Sequence, residues 1–227
     1  MRVWHWSGFF HYLFNRYLLG GVLVTIWLTV GAMIGGLALG VVVALLRLSG
    51  RRGLSWPARF YSWLFRGTPL LVQLLIIFTV LPLIGIRFSV VTTALLGLSL
   101  NEAAYLSEIL RAGLLAVPAG QRDAARALGL SRYQVLRHVT GPQAMRVIIP
   151  PLGNSVNGML KTTSLASVVS MQELLRRTQI LIQQQFMVIE LFTIAAIYYL
   201  ALTSAWSLVQ MRIERRFGRA YVLAEHL

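Results

Sequence analysis

Long uncharged runs separated by short arginine-bearing stretches set the pattern of this chain. Tyr17–Leu46 carries no Asp, Glu, Lys or Arg for 30 residues and Gly67–Ile86 none for 20. About 20 helical residues cross a hydrocarbon core, so both runs predict transmembrane helices. Three further spans follow, at about Ser89–Ala112, Val147–Val169 and Leu191–Met211, of which the first two are interrupted by charge. Met1–Arg16 is aromatic, with Trp4, Trp6, Phe9, Phe10 and Tyr12, and has no short apolar run followed by a small-residue cleavage site. It predicts an interfacial lead-in to the first span and not a signal peptide. The expected organisation is a lead-in over 1–16, a transmembrane unit over 17–211 and a tail over 212–227. The fold class is all-α, a polytopic membrane protein with five spans.

Composition agrees with that pattern and removes several chemistries. The chain is 57% hydrophobic and 12% charged, against about 25% charged in soluble domains. It has no cysteine, which excludes disulfides, thiolate metal sites and cysteine nucleophiles. The four histidines, His5, His11, His138 and His226, are scattered, so neither a metal site nor a converging catalytic set is expected. A P-loop needs Gly-Lys-Ser/Thr, but the only lysine, Lys161, follows Leu160. The chain therefore cannot hydrolyse ATP by that route.

The net charge of +14 is unevenly spread. Arg47, Arg51, Arg52, Arg59 and Arg66 follow the first span, while Arg87 stands alone after the second. Arg111, Arg122, Arg126, Arg132, Arg137 and Arg146 fall between the third and fourth, and Arg212, Arg215, Arg216 and Arg219 in the tail. The positive-inside rule places the three rich regions in the cytosol. The N-terminus is then outside and the C-terminus inside, which an odd number of spans satisfies. The loop with Arg176 and Arg177 falls outside against this trend, partly offset by Glu173.

Residues 117–145 form a soluble-looking, basic loop between spans three and four. Pro118, Ala119 and Gly120 break the third helix, and a short helix over about Gln121–Leu128 is expected, with Asp123 in its first turn favoured by the helix dipole. Ala124, Ala125, Ala127 and Leu128 allow close approach of another surface, and Gly129 turns the chain. Ser131 is the expected N-cap of a second helix, Arg132–Val139, which Gly141-Pro142 stops. The same residues also read as a helix-turn-helix with Arg132, Gln134 and Arg137 facing bases. Tethering to a span on each side, with no soluble supporting core, weighs against nucleic acid, and a plain solvated basic loop is the third reading.

Asp123-Ala124-Ala125, Gly129, Val139 and Pro142 stand at the spacings of the EAA loop that the permease subunits of bacterial ABC transporters carry. Asp123 replaces the usual Glu, and Gly141 the usual Leu. The similarity runs from Thr25 to the last span and resembles the polar amino-acid permeases (histidine, glutamine, arginine or opine type) most closely. Phe65-Arg66-Gly67-Thr68-Pro69-Leu70-Leu71-Val72-Gln73-Leu74, Ala103-Ala104-Tyr105-Leu106-Ser107-Glu108-Ile109-Leu110-Arg111 and Leu160-Lys161-Thr162-Thr163-Ser164-Leu165 carry it. The resemblance implies a type I importer permease in the bacterial inner membrane, itself without a cofactor. It would couple through Gly120, Asp123, Ala124, Ala125, Leu128, Gly129 and Pro142 to a dimer of separate ATP-binding subunits, which hold ATP and Mg. A second permease chain, identical or homologous, would complete the pathway, and an extracytoplasmic solute-binding protein would deliver a polar amino acid or opine. A passive channel remains the other transport reading and leaves the loop pattern unexplained.

Within the spans, Asn101, Tyr105 and Glu108 share one face of the third helix and Glu102 lies about 100° away. Ionisable groups at such depth are costly unless paired or hydrated, which makes them candidates for the pathway. Glu102 is the expected partner of a substrate ammonium. Glu108 is read equally as an ion-pair partner of Arg111, and Tyr105 equally as packing. In the fourth span, Lys161, Thr162, Thr163 and Ser164 read either as substrate or gate contacts or as snorkelling and helix packing. The subfamily often has Asp or Asn at the position of Thr162, so the cargo's side chain stays open. Gly31, Gly35, Gly36 and Gly40 give the first span small-residue faces, with Gly36 and Gly40 at GxxxG spacing, read as packing within the chain ahead of dimerisation.

Overall fold

The structure, a computed structural model, is described over residues 4–222, and its side chains over 4–217. Met1–Val3 of the lead-in, the Arg219 side chain and His226 lie outside the described residues. The helices are α1 (Trp6–Leu13), α2 (Arg16–Leu48), α3 (Arg52–Gly67), α4 (Leu70–Leu75), α5 (Val90–Leu115), α6 (Ala119–Ala127), α7 (Arg132–Val135), α8 (Gly141–Thr162), α9 (Leu174–Gln185) and α10 (Val188–Val222). No strand occurs among the described residues.

Asn15 starts α2 by accepting a hydrogen bond from the Tyr17 amide at 2.8 Å. The helix runs 33 residues, about 50 Å at ~1.5 Å per residue. Both α2 and α10 are long and apolar enough to cross a membrane, and α3 with Leu70–Ile84 forms a third crossing if that bent pair is one span.

The most extensive pairing is α2 on α5. A Cβ added at Gly36 would meet Glu102 Cβ at 3.1 Å, and one at Gly40 would meet Leu106 Cβ at 3.1 Å. The small-residue face expected to pack within the chain does so, letting the two backbones approach closely. Position numbers rise together across this contact, so α2 and α5 run parallel. If α2 crosses a membrane, residues 49–89 must carry the chain back across it. Gly113 meets Ile148, and Trp206 Nε1 donates to the Gly153 carbonyl at 2.8 Å. With Glu102 of α5 bonded to Ser155, and Ser207 and Gln210 of α10 bonded to Asn157 and the Pro150 carbonyl, position numbers on α8 fall as those on its partners rise, so α8 is antiparallel to both α5 and α10.

Three apolar clusters follow one another along the bundle. Phe9, Leu18, Leu174, Leu181, Leu191 and Ile194 tie α1 and α9 to the starts of α2 and α10. Leu28, Leu74, Leu98, Met159 and Val169 fill the middle, and Val117, Ala144 and Ile148 close the far end beside α6. Large apolar side chains such as Leu23, Ile34, Val42, Leu83 and Leu200 stay exposed, as a lipid-facing surface requires.

Four sequence expectations are corrected. Gly67–Ile86 is not one straight helix: α4 passes into a π-turn at Ile76–Val80 and a 3-10 turn at Leu81–Ile84, bent 103° from α3. Pro69 causes the break, since it forces Thr68 into an extended conformation (φ -118, ψ 145) and cannot donate to the helix before it. Span four ends as an α-helix at Thr162 and continues as a 3-10 turn over Thr163–Val169. Gly141-Pro142 does not stop the second loop helix, because α7, a π-turn over Leu136–Thr140 and α8 are continuous. The wider π-turn seats a proline that lacks an N–H, and a Cβ at Gly141 would lie 2.7 Å from the Leu136 carbonyl oxygen. Asp123 is not in a first turn, since α6 already begins at Ala119; its partner is Arg126 at 3.9 Å.

Candidate functional site

The break between α3 and α4 leaves backbone carbonyls without helical partners, and two amides satisfy them. Gln73 Nε2 donates to the Phe65 carbonyl at 3.0 Å, the Thr68 carbonyl at 3.1 Å and Thr68 Oγ1 at 2.8 Å. Asn101 Nδ2, from α5, donates to the same Phe65 carbonyl and to Gln73 Oε1, both at 3.1 Å. The turn at Gly67-Thr68-Pro69 is thereby fixed against the middle of α5.

That turn forms one wall of a cavity of about 690 Å³ between α3, α4, α5 and α8. Asn101, Glu102, Tyr105, Glu108 and Thr162 all line it, joined by Ser155. Glu102 is buried between Gly36 of α2 and the cavity; Ser155 of α8 hydrogen-bonds to its carboxyl group, while Oε1 has no hydrogen-bond partner among the described residues. A buried carboxylate oxygen left unpaired is costly, so this wall favours a cation or a hydrogen-bond donor. Glu108 is different: Arg47 of α2 reaches it at 2.6 Å, Arg66 of α3 at 3.7 Å, and Arg111 also pairs with it. Arg66 in addition lies over the Tyr105 ring, 5.6 Å from its centroid. Glu108 therefore knots three helices at the cavity's edge, a wider role than the local pair with Arg111.

The remaining span residues fall elsewhere. Lys161 is exposed and does not line the cavity, nor does Ser164. Thr163 is buried and donates to the Leu160 carbonyl at 3.0 Å, a helix-internal bond. Sequence reasoning did not single out Gln73, Arg47, Arg66 or Ser155 for the site. Gln73 had a readable signal, as an amide inside an otherwise apolar run.

At the far end of the bundle, α6 stands on α7 and the following π-turn. Gly129 adopts φ +83, and its amide donates to Arg126 while that of Leu130 donates to Ala125. This is a Schellman ending, which the left-handed glycine makes possible. Ser131 caps α7 through a reciprocal capping box with Gln134. Ala125 and Val135 are buried between the two short helices, whereas Gly120, Asp123, Ala124, Leu128, Gly129 and Pro142 are exposed. Leu128 is 81% exposed at the tip. Gln143 of α8 donates to Gln121, fastening α6 to the base of α8.

Residues 36–219 match the family described as binding-protein-dependent transport system inner membrane component. The chain belongs to that family. It is a multi-pass inner-membrane permease. It is 41% identical to the L-cystine transport system permease protein TcyB of Bacillus subtilis over 203 residues, 89% of this chain and 87% of that one. It is 38% identical to the arginine transport system permease protein ArgU of Corynebacterium glutamicum over 232 aligned positions, covering 96% of the permease and 73% of the relative. A solved amino acid ABC transporter with histidines superposes with a TM-score of 0.88 at 34% identity, covering 95% of the permease and 100% of that chain. The family assignment does not support the DNA-binding reading.

Proposed function

We propose that this permease carries a polar α-amino acid through the cavity beside Glu102, driven by ATP hydrolysis on separate subunits. The observation that carries the reading is the buried, unpaired Glu102 oxygen in a wall shared with Asn101 and Thr162. The ammonium common to amino acids supplies the missing donor. The names of the relatives point to cystine and arginine, and a histidine-containing structure is among the solved neighbours. These cargoes share the α-amino and α-carboxyl groups and differ in side-chain charge. Thr162 brings no charge to the cavity, which fits recognition centred on the shared part.

Five crossings are supported by the alternation of helix direction, with residues 49–89 as the return crossing between the parallel α2 and α5. The N-terminus then lies outside, and α6 with Leu128 and Gly129 faces the cytosol. In this reading the exposed side of α6 docks on one subunit of an ATPase dimer, and the capped, buried junction with α7 transmits its movement to α8 as a rigid body. A second permease chain completes the pathway, and a solute-binding protein presents cargo from outside. The permease itself holds neither ATP nor metal. The test is uptake by proteoliposomes containing the assembled transporter. Accumulation of labelled polar amino acids only with ATP is expected, while equal flux without ATP would return the channel reading.

A further inference from the structure

A second, basic cavity of about 440 Å³ is lined by Arg47, Arg59, Ser62, Trp63, Arg66, Gly67 and Tyr105. It presents three guanidinium groups and no carboxylate of its own. Glu108, which pairs with Arg47 and Arg66, is also shared with Arg111, so three arginines divide one acid between them. Arg59 has no partner among the described residues. The contact of Arg66 with Glu108 is the longest of the three, and its side chain is 43% exposed.

The outer face of α3 continues this cavity as an apolar stripe. Ser55, Ala58 and Ser62 are buried on the inner side of the helix. Trp56, Phe60 and Trp63 project outward at i, i+4 and i+7, with Trp56 and Trp63 each 69% exposed. They form a file: the Trp56 and Phe60 rings stack at 5.9 Å and 10°, and Phe60 and Trp63 lie 5.6 Å apart. Trp63 belongs to both the stripe and the cavity. Exposed tryptophan beside arginine is the chemistry of a membrane interface, and a guanidinium fork matches a phosphate geometrically.

We propose that this cavity is a binding site for one anionic phospholipid, with the phosphate held by Arg59 and Arg66 and an acyl chain lying over Trp63, Phe60 and Trp56. Charge and shape together select an amphipathic anion. A free phosphate satisfies the arginines and leaves the aromatic file uncovered, and a zwitterionic lipid covers the file but brings a choline cation against three guanidinium groups. The site meets the cargo cavity only at Arg66, Gly67 and Tyr105, and the inference does not depend on which cargo is carried.

The test exchanges the purified full chain into phosphatidylcholine nanodiscs with and without phosphatidylglycerol and counts retained lipid by native mass spectrometry. One phosphatidylglycerol is expected to be retained in preference to phosphatidylcholine. Arg59→Gln should weaken retention roughly fivefold, as expected for one basic residue at a membrane surface, while Arg59→Lys should keep most of it. Trp63→Ala should weaken it with all charges intact, which decides the matter if Arg59→Gln fails to insert. Equal retention of the two lipids, or wild-type retention in both Arg59→Gln and Trp63→Ala, overturns the site. Displacement of the lipid by inorganic phosphate overturns the assignment to a lipid.

Discussion

Asn101 of α5 donates to Gln73 of α4 at 3.1 Å, and both amides converge on the Phe65 carbonyl at the broken joint between α3 and α4. A cavity-lining residue is thus held by the same bonds that close the break. Replacing Gln73 with leucine keeps the volume and removes every donor to Thr68. The expected cost is about 1–3 kcal/mol, the usual penalty for stranding buried polar groups. Thermal unfolding in detergent checks it, and an unchanged midpoint would mean that water serves the joint equally well.

Two glycines in the chain should respond oppositely to substitution. At Gly36 a new Cβ lies 3.1 Å from Glu102 Cβ and 3.4 Å from the Ala103 amide nitrogen. Gly36→Val should therefore force α2 from α5 at about 1–3 kcal/mol. Gly120 sits inside α6 with nothing within 4 Å of an added Cβ, so Gly120→Ala should be neutral or stabilising by up to ~1 kcal/mol. Parallel melting curves of the two variants make the comparison.

Glu102→Gln preserves shape while removing the charge offered to a substrate ammonium. A charge-assisted hydrogen bond contributes about 1.5–3 kcal/mol, so KM for uptake should rise roughly 10- to 100-fold while the transporter still assembles and hydrolyses ATP. Initial-rate uptake at saturating ATP reads this directly. An unchanged KM would remove Glu102 from the cargo site.

Much of this architecture was legible in the sequence, and the exceptions share a cause. The uncharged run Tyr17–Leu46 became α2 because apolar composition alone dictates a long helix there. The glycines at 31, 35, 36 and 40 announced a close helix contact, and the residues from Asp123 to Gly129 announced a short helix ended by glycine. Asn101, Glu102, Tyr105 and Glu108 came together because helical periodicity fixes which residues share a side of α5. The broken span was missed because an absence of charge over Gly67–Ile86 does not register the helix-breaking Pro69, although Gln73 marked a polar joint within the run. The continuity across Gly141-Pro142 was missed because proline is ordinarily a helix stop, and only a π-turn, which depends on carbonyl positions, removes the conflict. Glu108 looked like a partner of Arg111 because Arg47 and Arg66 reach it through tertiary packing, which no local spacing records.

The proposed docking of an ATPase on α6 is most exposed to test at Gly129. Its φ of +83 admits glycine readily, and an added side chain would point into open space beside the exposed Leu128. The decisive measurement is ATP hydrolysis and amino-acid uptake recorded together, in the same proteoliposomes, for the wild-type transporter and for Gly129→Trp. Uptake per ATP hydrolysed should fall at least tenfold in the variant, with the protein still inserted and assembled. A ratio unchanged from wild type would contradict the coupling role of this segment.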